Sequence, residues 1–293
     1  MSERVATLIA NPANPCLTPE LADTARDAIG ASGVYFLADG IACDLPLNTA
    51  SGDRDAILAA LNGAAIDVVV QDADNRRKSV LLADMDSTMI QQECIDELAV
   101  VAGIGEQVAT ITAAAMRGEV DFEDAFRERL ALLGGQPDTI VDDVLNSRID
   151  PMPGGAQLVG TMKANGAYCA LVSGGFTAFT SAIAEKLGFD ENRANILESH
   201  NGKLTGQAVD PILGKEAKAI ALNEIISARG LTADDVMAVG DGANDLDMLT
   251  LAGSGVALHA KPVVAEQAKF RIDHGDLTAL LYIQGYRKAD FVG

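Results

Sequence analysis

Two carboxylates one residue apart, Asp84 and Asp86, follow the apolar run Val80-Leu81-Leu82-Ala83. That run reads as a short buried strand, so the pair stands where strand gives way to loop. Side chains at i and i+2 leave a strand on the same face, roughly 6–7 Å apart. Acids so placed repel unless a cation or a division of labour separates their roles. The spacing predicts a carboxylate nucleophile, a carboxylate acid/base and a divalent metal, a set suited to phosphoryl transfer.

Two further polar clusters end predicted strands. Ser173-Gly174-Gly175 follows Tyr168–Val172, and Gly240-Asp241-Gly242-Ala243-Asn244-Asp245 follows Asp235–Val239. In an open parallel sheet, ligands bind at the carboxyl ends of the strands. An ionised Asp84 needs no base to attack phosphorus. Asp86 would protonate the leaving oxygen and then deprotonate the attacking water. Asp241 would join Asp84 in holding Mg²⁺, a hard cation that favours carboxylate and phosphate oxygens. Asp245 would hold the metal's waters or anchor a lysine. Ser173 and the amides of Gly174 and Gly175, read as opening a helix, would bind phosphate oxygens. Each cluster alone is ordinary, since Asp-x-Asp is common in loops and Ser-Gly-Gly is usually a turn. Their succession along one chain is not. The last cluster also lacks the acidic alternation and closing Glu of a calcium loop, and the third glycine of a dinucleotide site.

The rest of the chain must position these groups. Its 293 residues suffice for one large domain or two ordinary ones. Residues 1–71 read as a unit of their own: strand Val5–Ala10, helix Pro19–Ile29, strands Val34–Ala38 and Ile41–Leu45 joined through Asp39-Gly40, helix Arg54–Leu61 and strand Ile66–Gln71. The order βαββαβ predicts an α+β, ferredoxin-like sandwich. Residues 72–79 are polar and charged, as a linker should be. Residues 80–293 then read as an α/β, doubly wound parallel sheet. Four predicted helices, Glu93–Ala102, Glu106–Met116, Phe122–Leu133 and Thr139–Asn146, interrupt it after the first strand, too long a stretch for a simple crossover. They read as an inserted cap over about residues 90–150. Asn201-Gly202 is the best hairpin turn in the chain.

Composition narrows the partners. Lys and Arg number 22 against 42 Asp and Glu, a net charge of −20. Such a chain repels nucleic acid and anionic membrane surfaces, and its phosphate site needs local cations. The four cysteines form no C-x-x-C pair and fit free thiols in a reducing cytosol. With no signal-like or membrane-spanning run, a cytoplasmic location is expected.

The combination of Asp84-Met85-Asp86-Ser87-Thr88, Ser173, a helical lysine and Gly240-Asp241-Gly242-Ala243-Asn244-Asp245 resembles the haloacid dehalogenase (HAD) superfamily of phosphatases. The resemblance covers residues 80 to about 285 and implies a Rossmann-like core. It implies Asp84 as nucleophile, Asp86 as acid/base, and Asp84, Asp241 and the backbone carbonyl of Asp86 as metal ligands. Lys215 and Lys218 both offer the lysine, and Lys218-Ala219 is closer to the family pattern.

Substrate information lies in the cap. Phe122, Phe126, Arg129 and Leu133 fall on one helical stripe, which sets Arg129 on an apolar face. A guanidinium there either pairs within the protein or clamps a carboxylate. Glu93 opens the first cap helix, where an acid is ordinarily explained by the helix dipole. It would also suit a substrate ammonium. Ammonium, carboxylate and phosphate together describe O-phosphoserine. The run from Asp84 through Gln91-Gln92-Glu93 to Glu97, with Met116-Arg117-Gly118-Glu119-Val120-Asp121-Phe122 and Leu171–Phe176, is similar to the phosphoserine phosphatase branch of the superfamily. That resemblance implies that Glu93 meets the amino group and Arg129 the carboxylate. It also implies that Met116 and Phe122 shield the site and that Asn244 lies near the phosphate. An amino-terminal extension in that branch is sometimes a βαββαβ (ACT-like) regulatory fold. The sequence leaves open whether residues 1–71 bind serine, form a homodimer or merely pack. Rival readings are a phosphatase or phosphotransferase for another small phosphomonoester, a phospho-accepting receiver, and a non-catalytic amino-acid-binding protein. A receiver has neither such a cap nor the second acid.

Overall fold

The computed structural model describes residues 3–47, 54–116 and 119–293. Its first unit contains β1 (Arg4–Ala10), α1 (Pro19–Ile29), β2 (Tyr35–Ala38), β3 (Ala42–Leu47), α2 (Arg54–Leu61) and β4 (Ile66–Asp72). The strands form one antiparallel sheet in the order β2-β3-β1-β4. α1 starts where Thr18 caps the amide of Leu21 ahead of Pro19, and stops at Gly30 in the left-handed conformation. One sheet face buries Leu8, Leu45 and Val68 against Ala22, Ile57 and Leu61 of the two helices.

The other face is not free. Ile9, Ala42 and Val69 join the main core with Leu280, Tyr282 and Ile283. The buried Asp67 carboxylate accepts the amides of Asp273, His274 and Gly275, and Gln71 donates to the carbonyl of Ile283. The polar stretch expected as a loose linker is pinned as well. Arg76 pairs with buried Asp44 at 2.7 Å, and the Lys78 amide donates to Gln284. Alternation along a strand shows which residues share a face, not what covers that face, so this seam was invisible in the sequence.

The main sheet begins with β5 (Val80–Ala83). Four helices follow: α3 (Cys94–Val101), α4 (Gly105–Met116), α5 (Phe122–Ala131) and α6 (Ile140–Ser147). Then come α7 (Gly155–Ala164), β6 (Tyr168–Phe176), α8 (Thr177–Leu187), β7 (Glu191–Asn195), the hairpin β8 (Leu197–His200) and β9 (Lys203–Ala208), α9 (Ala217–Arg229) and β10 (Val236–Gly240). The chain ends with α10 (Leu246–Leu251), β11 (Ser254–Leu258), α11 (Pro262–Ala265), β12 (Phe270–Ile272) and α12 (Ala279–Ile283). Six strands pair in parallel in the order β12-β11-β10-β5-β6-β7. β5 is central, and the connections leave it in opposite directions, which creates the crevice where such sheets bind ligands.

Two strands differ from expectation, while the hairpin predicted around Asn201-Gly202 is present. β7, with the sequence Glu-Asn-Arg-Ala-Asn, has no apolar pattern, because an edge strand is satisfied by polar neighbours: Arg193 pairs with Glu191, and Thr180 with Asn192. β12 is three residues long and escapes any periodicity test. The hairpin β8–β9 lies on the cap, its Leu204 backbone paired with Gly135 and Gln136 just beyond α5. Among the described residues no helix is long and apolar enough to cross a membrane.

Candidate active site

The sheet order explains why distant clusters meet. β5 is flanked by β10 and β6, so the residues after all three strands converge at one sheet end. The loop after β5 turns sharply: the amides of Thr88, Met89 and Ile90 all donate to the Met85 carbonyl, and Met85 and Met89 are buried beneath it. Ser87 takes a positive φ of 53° at this turn. Such a conformation is uncommon for a residue with a Cβ and often marks functional loops.

Asp84 and Asp86 stand above the sheet with distinct partners. Asp84 accepts from the Met85 amide at 2.7 Å and lies 2.8 Å from Lys218 Nζ. Asp86 accepts from the Cys94 amide at 2.8 Å and from Ser173 Oγ at 3.2 Å. Burial, and then Asp245, push the Asp84 carboxyl well up, against the pull of Lys218. Burial, and then Glu93, raise Asp86 to about 6.

Lys218 is buried between Asp84 and Asp245, 2.6 Å from the latter. Lys215 is exposed and borders a separate cavity beside Arg193 and Pro211. Asp245 uses both oxygens: Oδ1 meets Lys218, and Oδ2 accepts the amides of Asp241 and Gly242. A Cβ on Gly240 would collide with that carboxylate, which explains the glycine at the end of β10. Asp241 accepts a hydrogen bond from buried Thr88 at 3.1 Å.

Oxygens of Asp84, Asp241 and Asp245 lie within 4.8 Å of one another. One lysine among three buried acids leaves excess negative charge, and burial raises Asp241 further. This donor set of hard oxygens suits a divalent cation. Asp245, already accepting three hydrogen bonds, fits an outer position better than a direct ligand.

The cap closes a cavity of about 540 Å³ over these groups. Glu93, Asp96, Phe126 and Arg129 line it from above, and Ser173, Gly174, Asp241, Asn244 and Lys261 from below. Glu93 caps α3 without a side-chain bond to the helix backbone and instead accepts from Ser87 Oγ at 2.7 Å. It opens onto the cavity, yet the surrounding protein still raises its carboxyl, with burial the main cause. Arg129 donates to the Ala125 carbonyl and approaches Thr112 Oγ1 at 3.4 Å. Among the described residues it forms no ion pair, although the carboxylates of Asp96 and Glu93 stand near enough to act on its charge. On the same stripe Phe126 and Leu133 are buried as expected, and the Phe126 ring packs on Phe176 at 5.7 Å.

One local expectation is corrected. Ser173, Gly174 and Gly175 do not open a helix: β6 runs on to Phe176 and α8 starts at Thr177. The Gly175 amide donates to Ser173 Oγ at 2.8 Å, and a Cβ on Gly175 would press on the Asp86 carboxylate. Arg117 and Gly118, and the side chains of Met116 and Phe122, lie outside the described residues. Sequence reasoning assigned nothing to Asp96, Thr112 or Lys261. Their only signal was a polar residue on a cap helix or after a strand, which many surface residues share.

A family model for haloacid dehalogenase-like hydrolases matches residues 81–250. The phosphoserine phosphatase of Streptomyces coelicolor is 40% identical over 259 residues, 88% of this chain and 62% of that protein, so the chain spans under two thirds of this relative. The phosphoserine phosphatase of Polaromonas sp. is 44% identical over 224 residues, 75% of this chain and 95% of that protein. A solved phospho-aspartyl intermediate analogue of a phosphoserine phosphatase superimposes with a TM-score of 0.66 at 40% identity, covering 70% of this chain and 98% of its own. The chain belongs to the haloacid dehalogenase-like hydrolases and, within them, to the phosphoserine phosphatase family.

Proposed function

We propose that this chain hydrolyses O-phospho-L-serine to L-serine and inorganic phosphate in the cytoplasm, as the last step of serine synthesis, with Mg²⁺ as its metal. One observation carries the substrate: Arg129, which forms no ion pair among the described residues, and Glu93, an acid turned off its own helix, share a cavity with Asp84. A guanidinium matches the serine carboxylate and an acid matches the ammonium.

The residue roles follow from the contacts. A carboxylate oxygen of Asp84 attacks phosphorus, forming one P–O bond as the bond to the seryl oxygen breaks. Asp86, raised to about 6, gives its proton to that oxygen. Water then attacks the aspartyl phosphate, its proton passes to Asp86, and the bond to Asp84 breaks to release phosphate. Ser173, Gly174, Asn244 and Lys218 would surround the phosphoryl group, and Lys218 also holds Asp84 in place. Met116 and Phe122 are proposed to shield the site. Asp84, Asp241 and the carbonyl of Asp86 would hold Mg²⁺, which supplies positive charge against the phosphate, with Asp245 in the outer position.

The test is turnover of phosphoserine, phosphothreonine and sugar phosphates by the purified protein with Mg²⁺. Rapid sugar-phosphate hydrolysis with none of phosphoserine would reject the substrate.

A further inference from the structure

Among the described residues three cations stand at the cavity or directly behind its Asp84, and two are already engaged. Lys218 is buried between Asp84 and Asp245, and Arg129 is tethered to Ala125 and Thr112. The third, Lys261, follows β11 and precedes α11. Its amide donates to the Asp241 carbonyl at 3.3 Å, which fixes its backbone against the cluster after β10. Its side chain is exposed and borders the cavity, and among the described residues its ammonium makes no hydrogen bond or ion pair. Its field reaches Glu93 on the cap side and Asp241 on the core side.

Five acids, Asp84, Asp86, Glu93, Asp96 and Asp241, face the same space. The chain as a whole carries −20. An approaching phosphate dianion therefore meets repulsion before it can reach Asp84, beside which Lys218 is buried. We propose that Lys261 is a further positioning residue, a cation at the cavity mouth that draws in the phosphate head of the substrate and screens it from the acidic walls. The inference rests on the reading that the substrate is a phosphomonoester. Its physical basis is field focusing in a charged cleft, which acts on association and is screened by salt.

The test compares the full chain with Lys261→Gln, Lys261→Glu and Lys261→Arg, measuring kcat and kcat/KM for phosphoserine from about 10 mM to about 500 mM salt. Lys261→Gln is expected to lower kcat/KM roughly 5- to 10-fold at low salt while kcat changes less than about twofold. Lys261→Glu should lose more, Lys261→Arg should stay near wild type, and all differences should shrink at high salt. Inhibition by inorganic phosphate should weaken in the same order. A loss that ignores salt, a matching fall in kcat, or no loss at all would overturn the role of Lys261. Failure of the wild-type protein to hydrolyse phosphoserine would instead reject the substrate reading. The phosphate inhibition series, run on whichever phosphomonoester is turned over, would then still decide on Lys261.

Discussion

The Lys218 ammonium lies 2.8 Å from the Asp84 carboxylate, with both side chains buried at the end of the central strand. Lys218 also neutralises Asp245, so its loss would leave two buried acids facing each other. Lys218→Met is expected to cost about 3–5 kcal/mol of stability and nearly all activity. Asp84→Asn keeps the shape and removes a like charge from Asp245. It should abolish turnover while leaving the metal-free protein at least as stable as wild type. Denaturant unfolding with chelator present, beside an activity assay, checks both. An active Asp84→Asn protein would reject the covalent mechanism.

The same acidic cluster predicts linkage between metal and stability. Mg²⁺ at about 100 times its Kd should stabilise the protein by about 2.7 kcal/mol, through binding to the folded state alone. Asp241→Asn should remove most of that gain, because it takes away a charged oxygen donor. Thermal melts with and without Mg²⁺ decide the matter, and an undiminished shift in Asp241→Asn would place the cation elsewhere.

Asp86 sits near pH 6 because burial and Glu93 disfavour its charged form. As a base in the second half-reaction it must be ionised. Breakdown of the aspartyl phosphate should therefore slow as pH falls below about 6. As an acid in the first half-reaction it matters most for a poor leaving group. Asp86→Asn should lose formation rate with phosphoserine far more than with p-nitrophenyl phosphate, whose phenolate leaves unaided. A stoichiometric burst of nitrophenolate from Asp86→Asn, followed by slow turnover, is the expected trace. Equal losses in both half-reactions with both substrates would remove Asp86 from proton transfer.

Arg129 forms no internal ion pair among the described residues, so its truncation should act on recognition. Arg129→Ala is expected to cost about 2–5 kcal/mol in kcat/KM for phosphoserine. A phosphomonoester without the carboxylate should change little. Selectivity that survives the substitution would show that the clamp is another group.

Asp67 ties β4 of the first unit to the 273–275 loop through three backbone amides. Asp67→Ala would leave the buried Gly275 amide without an acceptor, at about 1–3 kcal/mol. Activity at room temperature should persist, since Asp67 is not among the cavity's lining residues. Urea unfolding measures the loss, and a neutral result would mean that the seam does not depend on this contact.

The sequence by itself determined which side chains stand at three strand ends. A strand's apolar run followed by clustered acids or glycines is a local pattern, and the parallel sheet turns local ends into one place. Asp84, Asp86, Ser173 and Asp241 were legible for that reason. The stripe carrying Arg129 was legible too, because helical periodicity is local. What surrounds a residue is not local. Only the tertiary structure decided that Lys218 rather than Lys215 is buried beside Asp84, that Asp245 accepts three hydrogen bonds, and that Arg129 forms no internal ion pair among the described residues. It also decided that the first unit packs one sheet face on the main core and that a hairpin from beyond the cap lies on α5. These are relations between elements far apart in the chain, set by which buried surfaces and charges find partners, and no spacing along the chain encodes them.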